Sequence, residues 1–253
     1  GRDGASETYV NAKVKACDRV GFKSTLIRLS ENVTEQELLF EIEKINNTKD
    51  IDGLIVQLPL PSHINEDKIT ESIIPAKDVD GFHPENIGKM VLNIPTFLPA
   101  TPAGIIELIR RYNIDTSGKH CVIIGRSHIV GSPMSILMSK NNYPGNCTVT
   151  LTHSRTKDLK KITRTADILI VALGLAEFIT SDMIKDNVCI IDVGITRIKS
   201  NKTRSGWKLK GDVNFEQCKK KCSYITPVPG GVGPMTIAML LMNTLKSAQN
   251  KGY

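Results

Sequence analysis

The chain has 253 residues, of which 40% are hydrophobic and 23% charged, and its formal net charge is +7. This composition is that of a globular protein rather than a disordered or fibrous one, and the lack of an apolar run of about 18 residues argues against a transmembrane helix. Only 5% of the residues are aromatic, which leaves little surface for stacking bases. We therefore expect neither nucleic acid nor a membrane as a partner, and a basic surface that attracts small anions.

In chain order, the N-terminal part of the sequence predicts helices that alternate with strands. A helix is expected over 6–17, with the serine at position 6 as its N-cap, followed by a strand at 24–29. Residues 34–46 predict a second helix, because its first turn has the spacing of a capping box. The apolar run 53–58 predicts a strand covered on both faces. This alternation is typical of an α/β domain.

From residue 118 the alternation starts again and predicts a second domain. Strands are expected at 120–124, 148–152, 168–172 and 188–193, with helices opening near 133 and over 159–165. Parallel strands joined by helices form the doubly wound, Rossmann-like fold that binds dinucleotides. A last amphipathic helix is expected over 235–249, after a segment rich in glycine and proline.

The six cysteines predict a reducing, cytoplasmic environment. They form no Cys-x-x-Cys pair, and Cys121 and Cys189 lie within apolar runs. Buried thiols fit this distribution better than disulfides or zinc ligands, and the five histidines show no metal-ligand spacing. We therefore expect no bound metal.

The turn after the strand 120–124 is typical of a dinucleotide site. It reads Gly125-Arg126-Ser127-His128-Ile129-Val130-Gly131-Ser132-Pro133. Gly125 permits a sharp turn, and the N–H groups at the start of the following helix can hold a pyrophosphate. Ser127 replaces the second glycine of the usual G-x-G-x-x-G pattern, so the motif is specific only in its strand-turn-helix context.

The end of the next strand favours NADP over NAD. An NAD site usually offers an acid to the ribose hydroxyls at this place, whereas the chain has Thr152-His153-Ser154-Arg155. Arg126 and Arg155 favour a 2′-phosphate, because arginine binds phosphate through two charge-assisted hydrogen bonds. A helix N-cap at Ser154 and a solvated Arg155 are the structural alternative.

Three segments of the N-terminal half carry polar groups suited to acid-base chemistry or ligand binding. Tyr9 and Lys13 lie four residues apart on one helical face, where the lysine could move a proton and the ring could stack on a planar ligand. Gln57 stands at the end of an apolar strand, where ligands bind in open α/β sheets. Asp80 lies in the loop 77–84, which holds two acids. The alternatives are structural. Tyr9 and Lys13 could be a surface pair, Gln57 could be a hydrogen-bonded amide of the core, and the loop 77–84 could be a turn held by Asx hydrogen bonds.

The segment 226–236 is too rich in glycine and proline for regular structure. It reads Thr-Pro-Val-Pro-Gly-Gly-Val-Gly-Pro-Met-Thr. Such a rigid loop lets the backbone approach a ligand closely, or else serves as a hinge into the last helix.

Together these segments resemble the bifunctional methylenetetrahydrofolate dehydrogenase/cyclohydrolase family, the FolD type. The matching pieces occur in the family's order over nearly the whole chain: 5–13, 56–61, 77–82, 101–104, 125–131, 153–154, 192–195, 211–213 and 226–236. Ala100, Thr152 and Thr196 depart from residues common in the family, and we interpret them as packing variants.

The resemblance implies an NADP-dependent dehydrogenase that is also a cyclohydrolase of one-carbon metabolism, acting on tetrahydrofolate derivatives as a homodimer. It implies a folate domain over 1–101, completed by the helix 235–253, and an NADP-binding domain over 102–234. Catalytic roles would fall to Lys13, Gln57, Tyr9 and Asp80. The NADP site would be lined by Gly125, Arg126, Ser127, Ser154, Arg155 and Ile195. Substrate would contact Tyr9, Gln57, Leu58, Pro59, Asp80, Pro229, Gly230, Gly231 and Thr236.

Three alternatives remain at this point. A dehydrogenase-only family member that uses NAD is disfavoured by the missing acid after Thr152 and by the presence of Lys13 and Gln57. A shikimate-dehydrogenase-like enzyme would not explain the segments 57–61 and 226–236. A non-catalytic NADP-binding regulator would have no reason to combine Tyr9, Lys13, Gln57 and Asp80.

Overall fold

The computed structural model describes residues 4–201, 203 and 206–249, with side chains described from residue 7 onward. The chain divides into two compact units. Unit 1 comprises Gly1–Ala100 and Ile237–Tyr253, and unit 2 comprises Thr101–Thr236. Among the described residues, no helix is long and apolar enough to cross a membrane.

The first part of unit 1 is built from four helices and the extended segments between them. The helices are α1 (Gly4–Arg19), α2 (Glu35–Asn46), α3 (Glu66–Ser72) and α4 (Pro84–Val91). The predicted start of α2 is confirmed: the Thr34 hydroxyl accepts the Glu37 N–H at 3.2 Å, and the Glu37 carboxylate accepts the Thr34 N–H at 2.8 Å. A core of Leu38, Ile42, Ile64, Ile69 and Ile73 packs α2 and α3 together.

Three predictions for unit 1 are wrong. Ser6 is not the N-cap of α1, because the helix already includes Gly4. Residues 24–29 form no strand, and Leu26 and Ile27 are 44% and 48% exposed. In 53–58 a single parallel bridge joins Leu54 to Asp78. An apolar run indicates burial, but a strand also needs a hydrogen-bonded neighbour, which a run cannot specify.

Unit 2 is a doubly wound α/β domain. Its elements are α5 (Ala100–Arg111, beginning at the unit boundary), β1 (His120–Ile124), α6 (Gly131–Ser139), β2 (Thr148–Thr152), α7 (Leu159–Thr163), β3 (Ile168–Val171), β4 (Val188–Asp192), β5 (Thr196–Lys199), β6 (Trp207–Lys210), α8 (Phe215–Cys218), β7 (Cys222–Ile225) and α9 (Val232–Ala248, ending in unit 1). Five strands form a parallel sheet in the order β2-β1-β3-β4-β7. The predicted fold class is confirmed.

The parallel sheet places the ends of neighbouring strands side by side. Register pairs Ile124 with Thr152 across β1 and β2, and Val171 with Asp192 across β3 and β4. The central strands β1, β3 and β4 are almost wholly buried, which explains their continuous apolar sequences. The turns that follow these strands therefore lie along one edge of the sheet.

Several features of unit 2 differ from the predictions. The elements α5, α8 and β7 were not predicted. β5 and β6 form a separate antiparallel pair, in which Thr196 faces Lys210. The last helix begins at Val232 rather than 235, because a proline at position 234 fits the first turn of a helix, where its missing N–H costs nothing.

The C-terminal part of α9 completes unit 1. Leu240 packs with Val79 and Ala100 in a small buried cluster. The Asn243 side-chain amide donates hydrogen bonds to the carbonyl oxygens of Val79 at 2.9 Å and Leu98 at 3.0 Å. The last helix therefore holds two loops of the N-terminal part in place.

Candidate active site

In unit 1 the structure brings Lys13, Tyr9 and Gln57 together. Lys13 is only 8% exposed, and its Nζ lies 3.3 Å from Oε1 of Gln57 and 5.0 Å from the centre of the Tyr9 ring. The Gln57 amide donates to the Leu58 carbonyl at 2.7 Å, which orients its oxygen toward the lysine. Within the described residues no carboxylate forms a salt bridge to Lys13. A buried amine held by a neutral amide and a ring is unusual, because buried lysines are normally ion-paired.

The charge of Lys13 also acts on the carboxyl group of Asp80. Burial raises the pKa of the Asp80 carboxyl, the positive charge of Lys13 lowers it, and the negative charge of Asp78 raises it further. The turn that carries Asp80 ends at Gly81, whose φ is +76°. A Cβ at Gly81 would lie 2.7 Å from the backbone of residues 98 and 99, so this turn requires glycine.

The remaining unit 1 candidates flank this cluster. Leu58 is half-buried, and its carbonyl is occupied by Gln57. Pro59 is exposed. Neither contributes a titratable group, so their contact with a ligand would be one of shape.

In unit 2 the turn after β1 is tight and exposed. Gly125 has a φ of +107°, and a Cβ there would lie 2.2 Å from the Ala172 carbonyl oxygen. A Cβ at Gly131 would lie 1.9 Å from the Gly125 carbonyl oxygen. Both positions therefore demand glycine. Arg126 and Ser127, between them, are exposed.

The start of α6 closes this turn. The Ser127 hydroxyl accepts the Val130 N–H at 3.2 Å, and its carbonyl accepts the Ser132 N–H at 3.0 Å. The helix begins directly after, at Gly131. Turn and helix N-terminus together form the arrangement that binds a pyrophosphate in doubly wound folds.

The segment after β2 offers exposed donors beside that turn. Ser154 and Arg155 are exposed, two and three residues beyond the end of β2 at Thr152. The alternative role of Ser154 as a helix cap is wrong, because the residue before α7 is Asp158. No acid stands among residues 153–157. Serine hydroxyls and guanidinium groups at adjacent strand ends fit a dinucleotide that carries an additional phosphate.

Ile195 lies on the turn after β4 and is 48% exposed. This turn is held by Asp192, which is 3% exposed. Its carboxylate accepts the N–H groups of Gly194 and Asp212 at 3.0 Å each, and of Val213 at 2.9 Å. Burial, the largest cause, and the nearby negative charge of Asp212 raise the pKa of Asp192 to about 6, against the hydrogen bonds that lower it.

Asp212 is a second buried carboxylate that holds the turn after β3. Its Oδ2 accepts the N–H groups of Leu173 at 2.6 Å and Gly174 at 2.9 Å. Its Oδ1 is buried and has no hydrogen-bond partner among the described residues. Sequence reasoning assigned no role to Asp192 or Asp212. The signal was present, because Asp192 ends an apolar strand two residues before Gly194, and Asp212 directly follows Gly211.

The glycine-proline segment is exposed at its centre. Pro229 and Gly230 are exposed, and Gly230 has a φ of +107°. A Cβ at Gly231 would lie 2.5 Å from the Pro227 carbonyl oxygen. Thr236 is instead buried, and its hydroxyl lies 3.0 Å from that of Thr101 and donates to the Val232 carbonyl at 3.3 Å. The loop backbone is available to a ligand, whereas the Thr236 hydroxyl is already engaged.

A parallel doubly wound sheet with these exposed donors at its carboxyl edge defines a dinucleotide-binding enzyme of the α/β class. Within the part of the chain that the structure describes, no three His, Cys, Asp or Glu side chains are grouped to hold a metal ion. The family model for the tetrahydrofolate dehydrogenase/cyclohydrolase catalytic domain matches residues 1–80, and the model for the NAD(P)-binding domain of the same family matches residues 99–252. The chain belongs to the tetrahydrofolate dehydrogenase/cyclohydrolase family.

Individual relatives agree with this assignment. The bifunctional protein FolD of Cytophaga hutchinsonii is 64% identical over 99% of this chain and 87% of its own length. The crystal structure of the FolD methylenetetrahydrofolate dehydrogenase/cyclohydrolase from Campylobacter jejuni is 52% identical, with a TM-score of 0.90 over 99% of this chain and 86% of that one. The Trypanosoma brucei FolD structure, complexed with NADP and an inhibitor, is 37% identical, with a TM-score of 0.94 over 99% of this chain and 84% of that one.

Proposed function

We propose that this enzyme catalyses the NADP-dependent oxidation of 5,10-methylenetetrahydrofolate to 5,10-methenyltetrahydrofolate and the hydrolysis of that product to 10-formyltetrahydrofolate. The observation that carries the proposal is the buried Lys13, held at 3.3 Å by Gln57 and beside Tyr9, in a chain of this family. A dehydrogenase alone has no need of a buried amine, because hydride transfer to a dinucleotide requires no protein acid or base at the carbon.

The cofactor is NADP, which when bound accepts the hydride from the carbon between N5 and N10 of the folate. We assign its pyrophosphate to the turn at Gly125 and Ser127 and the start of α6. We assign its 2′-phosphate to Arg126, on the turn after β1, and to Ser154 and Arg155, which are exposed after β2, where an NAD site would have an acid. We assign Ile195, whose side chain is exposed, to the NADP site as well.

The residues of unit 1 bind and turn over the folate. Tyr9 stacks on the planar ring, and the Asp80 carboxylate accepts hydrogen bonds from its amino edge. Gln57 fixes the amine of Lys13. In the hydrolytic step water adds to the methenyl carbon, the bond from that carbon to N5 breaks, and the water loses both protons as its oxygen becomes the formyl carbonyl. One of these protons reaches N5 and the other is released to solvent. Lys13 Nζ is the group that moves the proton to N5.

The other contacts are assigned by position. Leu58 and Pro59 continue the segment that begins at Gln57, and the loop 229–231 offers exposed backbone. We assign Thr236 to substrate binding as well, with its hydroxyl 3.0 Å from that of Thr101 rather than facing the ligand. The folate domain is then 1–101 with 235–253, and the NADP domain is 102–234.

The experiment that tests this assignment is a two-wavelength assay of Lys13→Met, which follows NADPH formation and the methenyl intermediate separately. We expect NADP reduction to persist while the intermediate decays at its rate in buffer. Lys15→Met is the matched control, because Lys15 lies on the same helix but is exposed. Hydrolysis at the wild-type rate in Lys13→Met would exclude Lys13 from the proton transfer.

We also propose that the enzyme is a cytoplasmic homodimer formed through unit 2, and that it binds neither nucleic acid nor membranes. The six free thiols, four of them buried, suit a reducing compartment. Sedimentation at micromolar concentration tests the assembly: a species of 27.8 kDa, the mass of one chain, would contradict it.

A further inference from the structure

The turn that carries Asp80 is held by the side chain of Asp78. Asp78 is 1% exposed, and its carboxylate accepts hydrogen bonds from the backbone N–H groups of Gly81 at 3.2 Å and His83 at 2.7 Å. A third hydrogen bond, at 2.8 Å, comes from the side-chain amide of the buried Asn86. One carboxylate, carried by the residue two positions before Asp80, thus fixes the chain that follows Asp80.

The same turn also has neutral anchors. The Asn243 amide on α9 donates to the Val79 carbonyl at 2.9 Å and to the Leu98 carbonyl at 3.0 Å. The Ala100 N–H donates to the Asp80 carbonyl at 3.2 Å. These contacts restrain the backbone without adding a charge. A mutation of Asn243 therefore loosens the turn without changing its charge, whereas a mutation of Asp78 changes both.

The charged groups that act on Asp80 within the described residues are few. Lys13, from α1, lowers the pKa of Asp80, and Asp78, on the same turn, raises it in addition to burial. Asn243, which packs on the turn from α9, is neutral. His83 is the nearby titratable ring; its backbone bonds Asp78, while its Nδ1 accepts the Glu85 N–H at 3.1 Å.

We infer that Asp78 is a positioning residue for the folate site: its buried carboxylate fixes the turn that presents Asp80 and adds a second negative charge beside it. The inference rests on the proposed function, in which Asp80 binds the amino edge of the pterin. An ionised carboxylate has only acceptors and matches the N–H donors of that edge. Folate binding therefore weakens as Asp80 becomes protonated, and Asp78 sets where on the pH scale this weakening begins.

The test is the pH profile of KM and kcat in Asp78→Asn at saturating NADP. The substitution keeps the side-chain shape and removes the charge, so the pKa of Asp80 falls. We expect the rise of the folate KM at acid pH to move to lower pH, with a smaller change in kcat. Asn243→Ala is the control: it loosens the same turn without changing charge and should raise KM by a similar factor at every pH.

Two further measurements test the inference even if the Asp78→Asn variant does not fold. Asp78→Glu restores the charge, so its acid-side rise should lie at the wild-type pH even if its KM is higher throughout. Carbon-13 NMR of labelled aspartate carboxyls in the wild-type enzyme should show Asp80 titrating above an ordinary aspartate. A wild-type titration at the ordinary position, or an unshifted acid-side rise in Asp78→Asn, overturns the inference and leaves Asp78 a structural anchor alone.

Asp80→Asn separates this failure from failure of the proposed function. We expect this variant to have a high folate KM without an acid-side rise. A wild-type KM at every pH would remove Asp80 from the folate site and overturn both claims. A normal Asp80→Asn result with an unshifted Asp78→Asn profile would overturn the positioning role alone.

Discussion

The buried carboxylate of Asp192 makes unit 2 less stable as pH rises through the weakly acidic range. Its folded-state pKa of about 6 lies above its ordinary value of 3.8, so its contribution to stability is fully present below the lower value and is lost as pH rises toward the higher one. The whole effect is about 3 kcal/mol, from about 1.4 kcal/mol for each pH unit of difference. From about pH 4.5 to about pH 7.5 the contribution of Asp192 to the unfolding free energy falls by about 2 kcal/mol.

The perturbation that isolates this effect is Asp192→Asn. The variant keeps one oxygen for the Gly194 and Asp212 N–H groups but places an amide where Oδ2 accepts from Val213. This mismatch lowers the unfolding free energy by an amount that does not depend on pH, because the amide does not titrate. The difference in unfolding free energy between wild type and variant should therefore fall by about 2 kcal/mol from about pH 4.5 to pH 7.5.

Urea unfolding at several pH values measures this difference. The single tryptophan of the chain, Trp207, lies in unit 2 and reports its unfolding. Asp158→Asn is the control, because Asp158 is exposed in the same unit and has a positive φ that asparagine also adopts. A wild-type-minus-variant difference that stays constant across the pH range would refute the reasoning.

Three other substitutions test the remaining parts of the structure. Arg155→Ala should raise the KM for NADP about tenfold or more, the loss of a charge-assisted contact, and leave the KM for NAD unchanged; equal effects on both would remove Arg155 from the 2′-phosphate site. Gly125→Ala should cost about 2 kcal/mol or more of unfolding free energy and weaken NADP binding, because its Cβ would meet the Ala172 carbonyl; thermal melts with and without NADP measure both. Thr34→Ala should cost about 1 kcal/mol by removing the α2 cap, and an unchanged urea midpoint would contradict this.

Four of the five parallel strands that the structure describes in unit 2 were predictable, and three of them, β1, β3 and β4, are buried on both faces. The fifth, β7, was not predicted, and half of its residues are exposed. Strands β1 and β2 have the predicted bounds, and β3 and β4 end one residue earlier than expected. A continuous apolar run leaves little choice of structure when turn residues flank it. β5 and β6 were missed because their sequences carry charges at alternate positions and half of their surface is exposed.

The sequence indicated candidate site residues where a polar side chain stands in an unusual position, but it did not indicate which of those residues are in contact. A polar Gln57 in an apolar run and a Tyr9–Lys13 pair stand out in the sequence, but no spacing shows that residues 13 and 57 touch. Their contact at 3.3 Å joins positions 44 residues apart. The Asp78 carboxylate was seen only as part of a turn, because its three donors are backbone and amide groups that become meaningful once the turn is built.

Unit 1 is discontinuous along the chain, and this imposes an order on synthesis. Residues 101–236 of unit 2 are contiguous and leave the ribosome before α9 is complete. Unit 1 lacks Leu240 and the two hydrogen bonds of Asn243 until the last residues have emerged. Because domains generally fold as they emerge, unit 2 can fold first. The N-terminal part of unit 1 completes its core only when Leu240 and Asn243 have been synthesised. The turn that presents Asp80 is therefore among the last parts of the enzyme to become rigid.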